Sequence, residues 1–218
     1  MKVIITGATG MVGEGVLLEC LENPNIEQVL IVNRRHYEIS HPKLKELLVP
    51  NFMDLSKVIN QLTGYDACFY CAGISSAGMK EADYHHITYD ITLNVAQTLA
   101  QLNPGMVFTF VSGLYTDSSE KGSIMWARVK GKTENALTRL PFKGVYNFRP
   151  GFMKPAEGQK NVKWYFKPIL ALYPVLHLLF PNGVSTLRQV ALAMINTVLK
   201  GYPKNILEVK DINQFAKE

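Results

Sequence analysis

The 218-residue sequence predicts an α/β fold: a doubly wound parallel sheet with helices on both faces. Three observations carry that prediction. Short and almost wholly apolar runs such as Val3-Ile4-Ile5 and Val29-Leu30-Ile31-Val32 lack the polar alternation of a half-exposed strand, so both of their faces expect burial. Helical patterns separate these runs through the first 150 residues. A turn with glycines at 7, 10 and 13 joins the first strand to the first helix.

The elements follow in order. Lys2 to Thr6 reads as a buried strand and Val12 to Glu22 as an amphipathic helix, stopped by Asn23-Pro24-Asn25. Gln28 to Asn33 is a second strand, Leu47 to Phe52 a third, Leu55 to Leu62 a short helix, and Asp66 to Cys71 a fourth strand. A long helix over Ala82 to Leu102 ends before Asn103-Pro104-Gly105. Met106 to Ser112 forms a fifth strand, Ile124 to Arg139 another helix, and Tyr146 to Arg149 a short sixth strand. Past Pro150 the rhythm changes. Residues 151–185 are rich in proline, lysine and aromatics without a clear period, and read as a small C-terminal cap within a single domain spanning 1–218. Trp164, Tyr165, Phe166, Tyr173 and Phe180 are expected to pack that cap against the sheet. A helix over Leu187 to Leu199, a strand over Ile206 to Val209 and a helical turn over Ile212 to Ala216 close the chain.

Composition narrows the partners. Lys and Arg number 23 against 18 Asp and Glu, a mild and scattered excess with no basic run, so nucleic acid is not an expected partner. The most apolar stretch, Trp164 to Pro181, is too short and too interrupted by Lys167, His177 and prolines to span a membrane. The chain opens on a strand rather than an apolar leader, and it has three cysteines, Cys20, Cys68 and Cys71; the expected location is cytoplasmic. Cys68 and Cys71 have C-x-x-C spacing, but on a strand residues i and i+3 face opposite sides and their sulfurs do not meet.

The glycine turn carries the chemistry. Thr6-Gly7-Ala8-Thr9-Gly10-Met11-Val12-Gly13 supplies a tight turn, close backbone approach and free N–H groups at a helix start, which together suit a pyrophosphate. The second strand ends at Asn33-Arg34-Arg35, twenty residues beyond Gly13. An acid there would accept hydrogen bonds from the adenosine ribose, whereas guanidinium groups attract a 2′-phosphate, so NADP is favoured over NAD. Asp54, after the third strand, is expected near the adenine amino group, and Cys71-Ala72-Gly73 after the fourth strand is small enough to lie against the cofactor.

These motifs resemble the short-chain dehydrogenase/reductase superfamily with its Rossmann fold. The T-G-x-x-G-x-x-G loop is Thr6 to Gly13, the A-G element is Ala72-Gly73, a strand-terminal serine is Ser112, and Arg149-Pro150-Gly151 follows the sixth strand. The R-P-G element and short length resemble the extended or atypical branch, and Arg128 to Glu134 is similar to the oxidoreductase-like group that includes Tat-interacting proteins, with NmrA-like sensors as neighbours. The resemblance implies cofactor contacts from the loop, from Lys130 and from Pro150-Gly151. It also implies a Y-x-x-x-K catalytic pair, but Trp126 stands where the tyrosine belongs, four residues before Lys130. An indole N–H donates a hydrogen bond without titrating, so it cannot serve as acid or base.

Ser112 remains to polarise a substrate oxygen and Lys130 to hold the ribose, with Tyr115 as a substitute phenol. Thr88 is placed where relatives carry a supporting Asn or Asp. Tyr84, His85 and His86 lie near the expected substrate edge; adjacent histidines on a helix diverge by about 100°, and no metal site is expected. The expectation is an NADP-dependent oxidoreductase acting on a small apolar carbonyl or alcohol, with a non-catalytic NADPH-binding sensor or regulator as the alternative. A nucleotide-sugar epimerase is disfavoured by the short chain. The resemblance further implies a homodimer through the long helices.

Overall fold

The strand β1 (Lys2–Thr6) runs through the middle of a seven-stranded parallel sheet. The computed structural model describes residues 1–162, 173–180 and 182–218. On one side of β1 lie β2 (Gln28–Asn33) and β3 (Leu44–Leu48). On the other lie β4 (Ala67–Tyr70), β5 (Val107–Val111), β6 (Gly144–Arg149) and, at the far edge, a short strand at Ile206–Glu208. Chain order therefore reverses at β1, where β1 pairs with both β2 and β4. Such a switch point opens a crevice at the carboxyl ends of the strands.

The apolar runs are buried on both faces, as their lack of alternation requires. Val3, Ile5 and Phe69 pack with the helices α1 (Met11–Glu22), Leu187–Lys200 and Val209–Phe215 on one face. Ile4, Cys68 and Phe108 pack on the other, against the helices that follow β4 and β5. Cys68 thus belongs to one core and Cys71 borders the opposite one, and all three cysteines are free thiols.

Four expectations need correction. The third strand lies at 44–48 rather than 47–52: it is an edge strand pairing Val29 with Leu44 through Asn33 with Leu48, so it tolerates Lys45 and Glu46, while Val49 fills the core from the loop beyond it. The long helix is three pieces in one run: α2 (Glu81–His85), a π-helical turn (His86–Asp90) and α3 (Ile91–Leu102). The cap holds two strands that its aperiodic sequence hid, β7 (Phe152–Lys154) and β8 (Val184–Thr186), paired in parallel on either side of the helix α5 (Tyr173–Leu179). Trp164, Tyr165 and Phe166 lie outside the described residues, and Phe180 is exposed rather than packed against the sheet. The helix after β5 is α4 (Met125–Leu137), the one after β8 is α6 (Leu187–Lys200), and β9 (Ile206–Glu208) leads into α7 (Val209–Phe215).

Candidate dinucleotide-binding site

At the switch point a groove of about 260 Å³ is lined by Gly7, Thr9, Gly10, Asn33, Arg34, Arg35, Cys71, Ala72 and Gly73, with Val32 and Phe52. Four separate stretches of sequence are thus brought to one place. Gly7 has φ +74°, and a Cβ there would collide with the Ala72 backbone, so the loops after β1 and β4 touch only because position 7 has no side chain. The Thr6 hydroxyl accepts from the Ala72 N–H at 3.3 Å and fixes the same junction. A Cβ at Gly13 would overlap the Gly7 carbonyl, which is how the third glycine lets α1 press onto the loop.

The start of α1 is electrostatically open. Gly10 is its N-cap, no side chain caps it, and the Gly10 N–H turns back to the Gly7 carbonyl at 2.9 Å. Met11, Val12 and Gly13 form the first turn, whose N–H groups have no acceptor within the helix and suit an anion. Arg34 and Arg35 are exposed at the groove and make no hydrogen bond or ion pair among the described residues. No Asp or Glu lines it. Burial pushes the Cys71 thiol up to about 12, so it stays a neutral wall.

A second recess of about 270 Å³ continues past Arg34, Phe52, Ala72 and Gly73 to Pro50, Asn51, Tyr70, Ile74, Ile87 and Ile91. Its flat apolar lining suits an adenine ring. Asp54 joins neither recess: its carboxylate accepts from the Ser56 N–H at 3.1 Å and hydroxyl at 2.6 Å, and these hydrogen bonds hold its pKa low. The residues present therefore fit a dinucleotide, by a glycine cradle and a helix start that no side chain caps.

The residues expected to do chemistry sit at the ends of β5 and β6 and are tied together differently from expectation. Lys130, on α4, donates its ammonium to the Ser112 main-chain carbonyl, and burial, opposed in part by Glu134, brings it down to about 8. The buried Ser112 hydroxyl turns to the Glu134 carboxylate and to the Phe148 carbonyl at 3.1 Å. Glu134 was not singled out from sequence. It is 1% exposed and receives Arg149 bidentately, Nε to Oε1 at 3.0 Å and Nη2 to Oε2 at 2.5 Å. Arg149 also reaches Ser118 Oγ at 2.5 Å and Glu208 at 3.2 Å. The signal that could have found Glu134 is its position one helical turn after Lys130 on the buried face of α4.

Trp126 lies half-buried in the first turn of α4. Tyr115 has φ +67°, is 78% exposed, and lines a separate small recess with Leu114, Leu179, Phe180, Asn182 and Gly183. The Pro150 carbonyl accepts from the Leu114 N–H at 3.0 Å, and Gly151 is pressed against the Gly183 backbone. Thr88 is buried in the π turn, where its side chain hydrogen-bonds Tyr84. His85 and His86 both face Asp90, at 3.5 and 3.1 Å, and His85 also meets Lys132 at 3.1 Å, so neither is free for a substrate. Among the described residues no group of acids, histidines and cysteines is placed to hold a metal.

Fold and groove together define a Rossmann-like α/β protein. The chain matches the model of the NAD dependent epimerase/dehydratase family over residues 3–127, more than half its length, and belongs to that family. It is 26% identical over 154 residues to Protein HTATIP2 of Rattus norvegicus, an alignment covering 70% of this chain and 62% of that protein. It is 27% identical over 155 residues to Protein FMP52, mitochondrial, of Candida albicans, covering 69% and 66% respectively. The chain thus spans just under two thirds of these relatives. Among solved structures it is similar to the Bordetella bronchiseptica enzyme WbmF in complex with NAD+, with TM-score 0.66, 17% identity, and coverage of 99% of this chain and 76% of that one. It also resembles the oxidoreductase ylbE from Lactococcus lactis, with TM-score 0.65, 15% identity, and coverage of 100% and 98%. Among the described residues no helix is long and apolar enough to cross a membrane.

Proposed function

We propose that the chain binds NADP(H) in the switch-point groove and works as an oxidoreductase on a small apolar carbonyl or alcohol. The observation that carries this reading is the pair of unpaired guanidinium groups, Arg34 and Arg35, in a groove without an acidic residue. A fork of fixed donors favours the doubly charged 2′-phosphate, where a carboxylate would repel it. When bound, the nicotinamide cofactor supplies hydride transfer. The chain's own part is to hold the pyrophosphate on the first turn of α1, the 2′-phosphate on Arg34 and Arg35, and the nicotinamide ribose on Lys130. Thr9 and Gly73 border the path between, while Pro150 and Gly151 shape its far end. Tyr115 is the phenol available to move a proton.

A specific observation favours a second reading, a non-catalytic NADPH-binding sensor or regulator. The Ser112 hydroxyl is committed to Glu134, and Trp126 cannot transfer a proton. The reading extends to a reducing compartment, with the cytoplasm proposed, and to a homodimer through the long helices; light scattering tests the latter. Calorimetry with NADPH and NADH tests the core of it. NADPH should bind at least about tenfold tighter, and Arg34→Ala should remove most of that difference. Equal affinities before and after substitution would overturn the 2′-phosphate assignment. Steady NADPH oxidation across a carbonyl panel supports the enzyme; binding without turnover supports the regulator.

A further inference from the structure

Glu14 is fully buried, one residue beyond the last loop glycine, and its two oxygens are filled from two other segments. Oε1 accepts the Tyr37 phenol at 2.6 Å and the Lys160 N–H at 2.8 Å. Oε2 accepts the Asn161 N–H at 2.7 Å and the Gln159 side-chain amide at 3.5 Å. The same Gln159 amide donates to the Met11 carbonyl in the first turn of α1 at 2.7 Å, while its oxygen accepts the Ala156 N–H at 2.6 Å. Among the described residues no cation pairs with this carboxylate; neutral donors hold it.

The two segments have different tasks. Tyr37 closes the turn that begins at Asn33-Arg34-Arg35, and that closing end is also fastened to Glu46 by the Tyr37 N–H at 2.9 Å and by His36. Residues 156–161 form the strap by which the cap returns from β7 toward α1. Burial first, and then the adjoining Glu14, push the Tyr37 phenol up, so it stays protonated and donating.

We propose that Glu14 is a positioning residue that couples the Arg34–Arg35 turn to the strap at residues 156–161, so that a 2′-phosphate on the turn steadies the strap against the start of α1. The coupling rests on the dinucleotide reading above; the latch itself does not. A carboxylate is required, because all four partners donate. In Glu14→Gln the volume is nearly kept, but the new NH2 must face either the Tyr37–Lys160 pair or the Asn161–Gln159 pair, setting donor against donor. A side chain that merely filled space would tolerate the exchange.

Hydrogen exchange read at individual amides tests both parts. Without nucleotide, the Lys160 and Asn161 amides should exchange at least about tenfold faster in Glu14→Gln than in the parent, the loss expected for one hydrogen bond to a charged acceptor. Unchanged rates would overturn the latch. With saturating nucleotide, NADPH should protect these amides more than NADH does, and Tyr37→Phe should erase that difference while leaving NADH protection in place. Equal protection by two bound nucleotides would overturn the coupling and leave the groove assignment standing. If neither nucleotide binds, the groove assignment and the coupling fail together, and the exchange rates without nucleotide still decide the latch. Should Glu14→Gln not fold, Tyr37→Phe, which removes a single donor, is expected to speed Lys160 exchange in its place; no change there would overturn the latch.

Discussion

Replacing Arg149 by methionine should be the most damaging single change at the carboxyl edge of the sheet. The guanidinium meets Glu134 through two hydrogen bonds, at 3.0 and 2.5 Å, and the carboxylate is 1% exposed. Methionine keeps the stem's volume but leaves Glu134 the Ser112 hydroxyl and the Coulombic attraction of Lys130, with no bidentate partner. Breaking a buried pair this way costs about 3–5 kcal/mol, because the remaining charge can neither reach water nor find a new partner. In a domain of this size that corresponds to a fall in melting temperature of roughly 6–20 °C. Glu134→Leu should cost less, since Arg149 retains Glu208 at 3.2 Å and Ser118 at 2.5 Å. Joining the two substitutions should recover stability relative to Arg149→Met alone, because the stranded charge is gone. Urea denaturation of the four proteins supplies the cycle. A cost below about 1 kcal/mol for Arg149→Met, or a double variant weaker than that single one by the full cost of Glu134→Leu, would refute the argument.

Three further outcomes follow from the site. Gly13→Ala should abolish nucleotide binding and cost about 1–3 kcal/mol, since its Cβ would overlap the Gly7 backbone carbonyl; calorimetry and melting check both effects. Lys130, brought down to about 8 by burial, should regain its proton when an anionic nucleotide arrives, so affinity is flat below pH 8 and falls above it. Binding heats at pH 8.5 in buffers of different ionisation enthalpy should reveal proton uptake that Lys130→Met removes. Without ligand the sign reverses: the unfolded amine keeps its proton to about pH 10.4, so the unfolded chain holds more protons between the two values, and this residue's contribution to stability rises with pH in that window. Trp126→Tyr should raise NADPH-dependent carbonyl reduction above the parent's level if the remaining groups are correctly placed, and no gain on any carbonyl would count against a reductase site at β5.

The parts of this protein most legible in its sequence are those under two-sided burial. Lys2–Thr6 and Gln28–Asn33 are bounded to the residue because an unbroken apolar stretch, Val3-Ile4-Ile5 or Val29-Leu30-Ile31-Val32, between polar ends marks a strand buried on both faces. The edge strand lies at 44–48, three residues earlier at its start and four at its end than the sequence predicts, because an exposed face permits Lys45 and Glu46 and the apolar signal slides to Val49 and Phe52. The strands of the cap were invisible for another reason: three-residue elements such as Phe152–Lys154 are shorter than any period they could display. At the site, loop glycines and the Arg34–Arg35 pair were readable because their roles depend on local backbone and local charge. Glu14 and Glu134 were not, since a buried acid is intelligible only from its partners, and those lie 15 to 147 residues away.

Counting protons at the end of β5 separates holding a cofactor from using one. A serine hydroxyl carries a single proton, and in this protein two acceptors already compete for it: the Glu134 carboxylate and the Phe148 carbonyl. A neutral substrate carbonyl is a weaker acceptor than a buried carboxylate, so Ser112 would polarise it only by abandoning Glu134 and leaving Arg149 to satisfy that charge alone. Trp126 offers no proton to transfer, and Tyr115 is displaced toward solvent beside the cap. Arg34 and Arg35, by contrast, line the groove without a hydrogen bond or ion pair among the described residues, and no side chain caps the first turn of α1.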